Sequence, residues 1–549
     1  MLKPSPAMTT VERTRTEENV QRFQNAVASN IEGFESTAPL EEQWNSVQIG
    51  LTNAGTEVLG YARRNQPDWF YDQQDVLTLA LFMERRLAYN KWVASGNSLD
   101  HAKVKTIRSK TRAEVHRAKT NWLRSFKGLC PITIPKIKDA NGNLCSSVDA
   151  QCARWGGHFH TVLNIQSQYD PTVFSSLKQR PVADELAELP TAVELSRAIS
   201  RLTNNKAPGE SGILPEMVKH AGAQFHQTLL CLIHQIWREN QVPQAWKDAE
   251  LVPIPKKGDL SLCDNWRGIA LLDVVGKVVG RLIQNRLQSV AERELPESQC
   301  GFRRGRSCTD QIFSVYQSVE KLYKYEHRTG GFLVFIDLRK AYDSVPRQAL
   351  WCGLRTLGVP DQLVDLIASF HTGMQARVRV GDRHTDPISV NNGLRQGCSI
   401  SPVLFNLYFS LVFERWNAEM AWILPGGGFT FNHSVNGNHF NRPRTRHQST
   451  TVLDVEFADD AALFAPTLAA AQLPLETFHR ISSAFGLTIN FSKTKFVRCQ
   501  PCKEDSLDAT LLKLEEDTSV RDLVEGSSDV NCKYTCCAPA SDRGCPGVV

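Results

Sequence analysis

The sequence predicts an α+β fold, and three features carry the prediction. First, Gly331-Phe332-Leu333-Val334-Phe335-Ile336 and Ala461-Ala462-Leu463-Phe464-Ala465 are short apolar runs of the kind that form buried strands. Second, Val455-Glu456-Phe457 reaches the second of these runs through Ala458-Asp459-Asp460 alone, which leaves room only for a hairpin and makes the sheet antiparallel. Third, stretches with helical apolar spacing surround these strands, among them Val403–Glu414 and Leu473–Phe485.

The two strand ends carry the chemistry. Asp459 and Asp460 rise from an apolar hairpin with no Gly or Pro beside them, and Asp337 ends the other strand just before a helix-compatible segment. Three carboxylates brought together in this way suit a hard divalent cation, Mg²⁺ with Mn²⁺ as a substitute, because such ions take oxygen ligands. A pair of such ions is what phosphoryl transfer uses to activate an attacking hydroxyl and to steady a leaving pyrophosphate.

Around these residues, F-A-D-D and F-I-D-L-R-K-A-Y-D resemble motifs C and A of the reverse transcriptases of non-LTR (LINE-type) retrotransposons. The resemblance implies a right-hand polymerase fold, with fingers and palm preceded by a mostly helical region. It also implies an RNA-directed DNA polymerase that uses Mg²⁺, an RNA template, a DNA primer and deoxynucleoside triphosphates. Asp337, Asp459 and Asp460 would hold the metals.

Composition limits the alternatives. The 549-residue chain is long enough for roughly two to four structural units. Its net charge of +5 permits a nucleic-acid partner without naming one. It opens with no secretory signal and holds no apolar run long enough to cross a bilayer, so no membrane role is expected. Its 15 cysteines then read as reduced thiols in an intracellular protein of cytoplasm or nucleus.

Residues 1–190 read as helical and partly basic. Asp75–Ala94 has helical apolar spacing, and a cationic segment follows from Lys103 to Lys127. The resembled family has a basic linker here, after an endonuclease that this sequence does not show. Pro131–Asn143 reads as a short hairpin.

The polymerase region is read over 191–498. Lys206-Ala207-Pro208-Gly209-Glu210-Ser211-Gly212 resembles the family's K-A-P-G-x-D-G loop, with Ser211 in place of Asp. Trp246–Asp259 gives a strand and a basic turn, and Asn265-Trp266-Arg267-Gly268-Ile269 follows. By resemblance this is a fingers hairpin whose Lys256 or Lys257 and Arg267 reach the incoming nucleotide.

Gln299-Cys300-Gly301-Phe302-Arg303-Arg304-Gly305-Arg306-Ser307 puts three arginines on a Gly-flexed loop before a helix, a pattern suited to a template backbone. The family has a near-identical segment, so Arg303, Arg304 and Arg306 are expected at the template. Tyr342 occupies the place of the family's aromatic that stacks under the sugar and rejects a 2′-hydroxyl, while Asp343 is expected to order its helix. Arg395-Gln396-Gly397-Cys398-Ser399 resembles motif B, in which Gln396 and Gly397 let template and nucleotide approach the backbone.

Trp422–Thr451 is rich in Gly, Asn and His and reads as a long loop; His433, His439 and His447 match no metal spacing. Gly486–Val497 resembles motif D, with Lys493 placed to act as a general acid on pyrophosphate. Beyond Arg498 the motif pattern stops. Residues 499–549 are expected to be a disordered tail whose Cys532, Cys536, Cys537 and Cys545 fit no standard zinc spacing, and the family's thumb is not recognisable. A truncated remnant that binds nucleic acid without extending a primer is the alternative reading.

Overall fold

The computed structural model describes residues 17–59, 103–104, 106–107, 137–256, 258–325, 331–381, 383–424, 428–434, 447–465 and 468–499. The expected helix Asp75–Ala94, nearly all of the basic segment after it, Lys257, and everything beyond Cys499 lie outside these residues.

The chain is α+β. Helices α1 (Glu17–Asn30) and α2 (Leu40–Ala54) open it, followed by α3 (Val148–Leu163), α4 (Ala192–Ser200) and α5 (Gly222–Glu239). Strands β1 (Ala249–Pro255) and β2 (Trp266–Leu271) lead into α6 (Val274–Glu294) and α7 (Cys308–Tyr325). Next come β3 (Gly331–Ile336), α8 (Arg347–Thr356), α9 (Asp361–Ser369), β4 (Gln375–Val380), β5 (Arg383–His384) and β6 (Ile388–Ser389). The last elements are α10 (Ser401–Ile423), β7 (Phe429–Ser434), β8 (His447–Val452), β9 (Asp454–Phe457), β10 (Asp460–Ala465), α11 (Leu468–Ala484) and β11 (Lys495–Cys499).

Two sheets position the site. The first runs β2-β1-β4-β5, with β6 also on β4. The second runs β11-β3-β10-β9, antiparallel throughout. On one face of this second sheet Leu333, Val455, Ala462 and Phe464 form a buried cluster closed by Val315 and Val319 of α7.

Over its first half, Ser401–Phe413, helix α10 is apolar on nearly every side because it is buried on nearly every side, while Glu414, Arg415 and Glu419 bring its second half to the surface. Phe405, Phe409 and Phe413 follow one another at four-residue spacing along it. The last two rings pack against Phe478 of α11, which also contacts β10 and β3.

The structure departs from the sequence reading in two places. Trp422–Thr451, expected to be a long loop, contains the β7–β8 hairpin, paired from Phe429↔Val452 to Ser434↔His447. Alternating Phe and Thr facing a Thr-Thr-Val run gives strand propensity that the flanking Gly and Asn residues obscured. His433 and His447 sit on this hairpin, and His439 lies outside the described residues.

The second departure is the boundary at 190/191. The described residues within 17–59 and 137–499 belong to one compact unit, and α3 packs directly on β4. A turn with an isolated bridge Lys138↔Leu144 stands where the short hairpin was expected, across its described half. No described helix is long and apolar enough to cross a membrane. Eight cysteines between Cys145 and Cys398 are free thiols.

Candidate active site

The carboxylates are set by strand register. Asp460 pairs with Phe457, so β9 and β10 are joined by Ala458 and Asp459 alone. Ala458 has φ +58°, a left-handed first position that normally selects Gly. Since Ala461 pairs with Ile336, one further step along the two antiparallel strands sets Asp460 against Asp337.

Burial, followed by the negative charge of Asp337, pushes the Asp459 carboxyl above the usual range, while Arg267 pulls it back. Asp460 is raised by burial, then by Asp459 and Asp337, and Lys493 opposes the shift. Asn490 Nδ2 donates to Asp337 Oδ2 at 2.9 Å, and Lys493 Nζ lies 3.7 Å from the same oxygen.

These donors are hard oxygens whose mutual repulsion a divalent cation would relieve, so the residues suit Mg²⁺ or Mn²⁺. Among the described residues no three or more His, Cys, Asp or Glu side chains stand together as a group that could hold a metal ion. Asp337 and Asp459 line the cleft and Asp460 does not; a hard cation there would take its remaining ligands from phosphate and water.

A cleft of about 540 Å³ lies in front of Asp337 and Asp459. Lys256, Arg267, Lys340, Tyr342, Gln396, Gly397 and Lys493 line it together. The sequence reading had named six of these seven; Lys340 was missed. It caps a single-turn helix, Ala341–Ser344, in a left-handed conformation. Lys256 Nζ donates to the Asp264 carbonyl at 3.1 Å; burial, then Arg267 and Lys493, hold its ammonium below the usual range. The cleft is therefore crowded with cationic groups and suits polyphosphate.

Tyr342 lies flat against Phe405 of α10, ring centroids 4.7 Å apart, and its hydroxyl has no hydrogen-bond partner in the protein. Gln396 Nε2 donates to both oxygens of Asp343, at 3.1 and 3.2 Å. Burial pushes the Asp343 carboxyl up to about 6. Gly397 has φ +101°, and a Cβ there would lie 2.7 Å from the Ala270 carbonyl oxygen. Only glycine lets this loop press on β2, where Ala270 N–H donates to the Gln396 carbonyl at 3.3 Å.

The arginine loop corrects one expectation. Arg303 is buried and points inward; it donates to the carbonyls of Pro296 and Gln299 at 2.7 and 3.2 Å and to Glu292 at 3.0 Å. Its Nη1 and Nη2 groups are engaged inside the protein while its buried Nε has no partner, a geometry that suits a brace for the loop and turns the side chain away from solvent. Arg306 pairs with Glu297 and stays partly exposed, while Arg304 is exposed.

Two further contributors were missed. Helix α3, placed by the sequence reading in the preceding region, supplies His158, Phe159 and Val162 to the cleft wall. The buried Gln299 bonds to the Ala458 turn. It begins the Q-C-G-F-R segment, where the arginines drew attention away from it.

Residues 254–526 match the family described as reverse transcriptase (RNA-dependent DNA polymerase). The chain carries a reverse transcriptase domain of the non-LTR retrotransposon kind. The matched segment continues past Arg498, where the motif pattern stops. The domain is similar to a probable RNA-directed DNA polymerase from transposon X-element of Drosophila melanogaster, 25% identical over 60% of this chain and 39% of that protein. It is also similar to the transposon TX1 uncharacterized 149 kDa protein of Xenopus laevis, 31% identical over 40% of this chain and 16% of that protein. The RNA-directed DNA polymerase from mobile element jockey of Drosophila melanogaster is 28% identical over 40% of this chain and 24% of its own length. The chain thus spans well under half the length of each of these relatives. The family implies a palm and fingers.

Proposed function

We propose that this chain is an RNA-directed DNA polymerase that transfers deoxynucleotides to a primer 3′-hydroxyl on an RNA template. The observation that carries the reading is the meeting of Asp337 and Asp459 with Lys256, Arg267, Tyr342, Gln396 and Lys493 in one cleft. Asp337, Asp459 and Asp460 are the residues that would hold Mg²⁺, or Mn²⁺ in its place. When bound, the two ions supply Lewis acidity to the attacking hydroxyl and neutralise charge on the departing pyrophosphate.

The protein's remaining task is to position the reactants and match their charge. Lys256 and Arg267 reach the triphosphate oxygens from the fingers strands. Lys493, on the edge of the palm beside Asp337, gives a proton to the pyrophosphate as it leaves. Tyr342, held flat by Phe405, supports the sugar and leaves no room for a 2′-hydroxyl. Gln396 and Gly397 form the floor under the base. Arg304 and Arg306 remain for the template backbone, with Arg303 bracing their loop.

Single-nucleotide extension tests the substrate class. Wild-type chain is expected to add the complementary deoxynucleotide and to discriminate against the ribonucleotide, and Tyr342→Ala to lose most of that discrimination. Equal use of both sugars by the wild type would reject this reading.

A further inference from the structure

We infer that Gln299 is a positioning residue that locks the Ala458–Asp459 turn in its productive shape. The inference rests on the polymerase reading for the purpose of the turn, and on geometry alone for the lock.

The turn needs a lock. Ala458 sits at φ +58°, where L-residues rarely settle, and it decides where the Asp459 carboxylate points. The Gln299 carboxamide meets both polar groups of that residue. Its Oε1 accepts from Ala458 N–H at 2.9 Å, and its Nε2 donates to the Ala458 carbonyl at 3.3 Å.

The same oxygen also accepts from Gly301 N–H at 2.7 Å, and the same nitrogen donates to Glu456 Oε2 at 3.1 Å. Two acceptor and two donor positions complete the capacity of a carboxamide, and Gln299 is wholly buried. An apolar side chain supplies none of these bonds, and a carboxylate supplies only the accepting half.

The surrounding backbone fits this role. Residue 299 bridges Glu456 in parallel, with Cys300 N–H on the Glu456 carbonyl at 3.0 Å and Glu456 N–H on the Ser298 carbonyl at 2.9 Å. Gly301 lies so close that a Cβ there would stand 2.2 Å from Ala458 N. The segment that goes on to the exposed arginines is thereby fastened to the turn that carries Asp459.

The test compares wild type, Gln299→Met and Asp459→Ala in the full chain. In the metal-free and nucleotide-free protein, hydrogen exchange at the Ala458 amide is expected to quicken in Gln299→Met and not in Asp459→Ala. In primer extension with Mn²⁺, kcat of Gln299→Met is expected to fall ~100-fold with the deoxynucleotide KM and duplex affinity within ~3-fold of wild type, as for a reacting group displaced by about an ångström. Gln299→Glu, which keeps the accepting half, is expected to fall between the two and serves if the Met variant does not fold.

Unchanged exchange and unchanged kcat in a folded variant, or a lowered melting temperature with kcat intact, overturns the assignment. A wild-type chain that extends no primer defeats the polymerase reading instead, and the exchange comparison then decides the lock by itself.

Discussion

Asp343 shows how burial at a single residue sets a measurable pH response. Its carboxyl is raised from 3.8 to about 6 by burial, against the bonds from Gln396 and the nearby cations. The unfolded chain releases this proton near the ordinary value, and the folded chain does so only near 6. The stability contributed by the protonated form is therefore complete below the unfolded value and lost as pH rises through 6, a change of up to ~3 kcal/mol. Asp343→Asn is expected to stabilise the domain by ~1–3 kcal/mol at pH 7.5 and by little at pH 4, as read by urea unfolding at the two pH values. A gain that does not depend on pH would show that the carboxyl is not the group responsible.

Asp337, Asp459, the two motif-B residues and the cleft cations Lys256, Arg267 and Lys493 were legible as cleft residues because each lies in a local motif whose chemistry survives without knowledge of the fold, whereas Lys340 was missed. Arg303 was not. A sequence shows that a guanidinium is present but not whether it faces solvent, and here the neighbouring carbonyls of Pro296 and Gln299 take it inward.

At the scale of the loop and its helix, the three arginines therefore separate. Arg303→Ala is expected to cost about 2 kcal/mol of stability, since it leaves buried carbonyls and Glu292 without their donor. Its effect on the salt dependence of template affinity is expected to be small. Arg304→Ala is expected to do the reverse, leaving stability unchanged and lowering the slope of log affinity against log salt by about 1. Filter binding across a salt series, together with urea unfolding, distinguishes the two; an Arg303→Ala chain with normal stability and a reduced salt slope would return that residue to the template.

The β7–β8 hairpin was missed at this same scale for another reason. Its strand signal lies between Gly-rich and Asn-rich stretches, and the pairing of Phe429 with Val452 spans a separation that local patterning does not weigh.

Across the whole molecule, the unit that builds the cleft starts earlier than the motifs suggest. Trp155 of α3 is fully buried, edge-on to Trp266 at 5.7 Å and stacked on Phe159 at 5.7 Å. A Cβ at Gly268 would lie 2.5 Å from the Phe159 ring, so α3 and β2 meet at a position that only glycine permits. Neither contact was legible from spacing, because both join segments about a hundred residues apart. Trp155→Ala is expected to destabilise the domain by ~3–5 kcal/mol and to raise the deoxynucleotide KM, while a conservative change at exposed Val193 does neither. Urea unfolding and steady-state extension check this; an unaltered midpoint would mean that α3 is peripheral to the fold.

The central proposal is that Asp337, Asp459 and Asp460, brought to adjacent strand ends by the register of one antiparallel sheet, make this a template-directed polymerase site. It is tested most directly by primer extension on an RNA template with Mg²⁺ and deoxynucleotides, comparing wild type with Asp459→Ala while following duplex affinity in parallel. The expected result is templated extension by the wild type and a loss of at least ~100-fold in the variant, with duplex affinity unchanged. Duplex binding by both chains with extension by neither would contradict it.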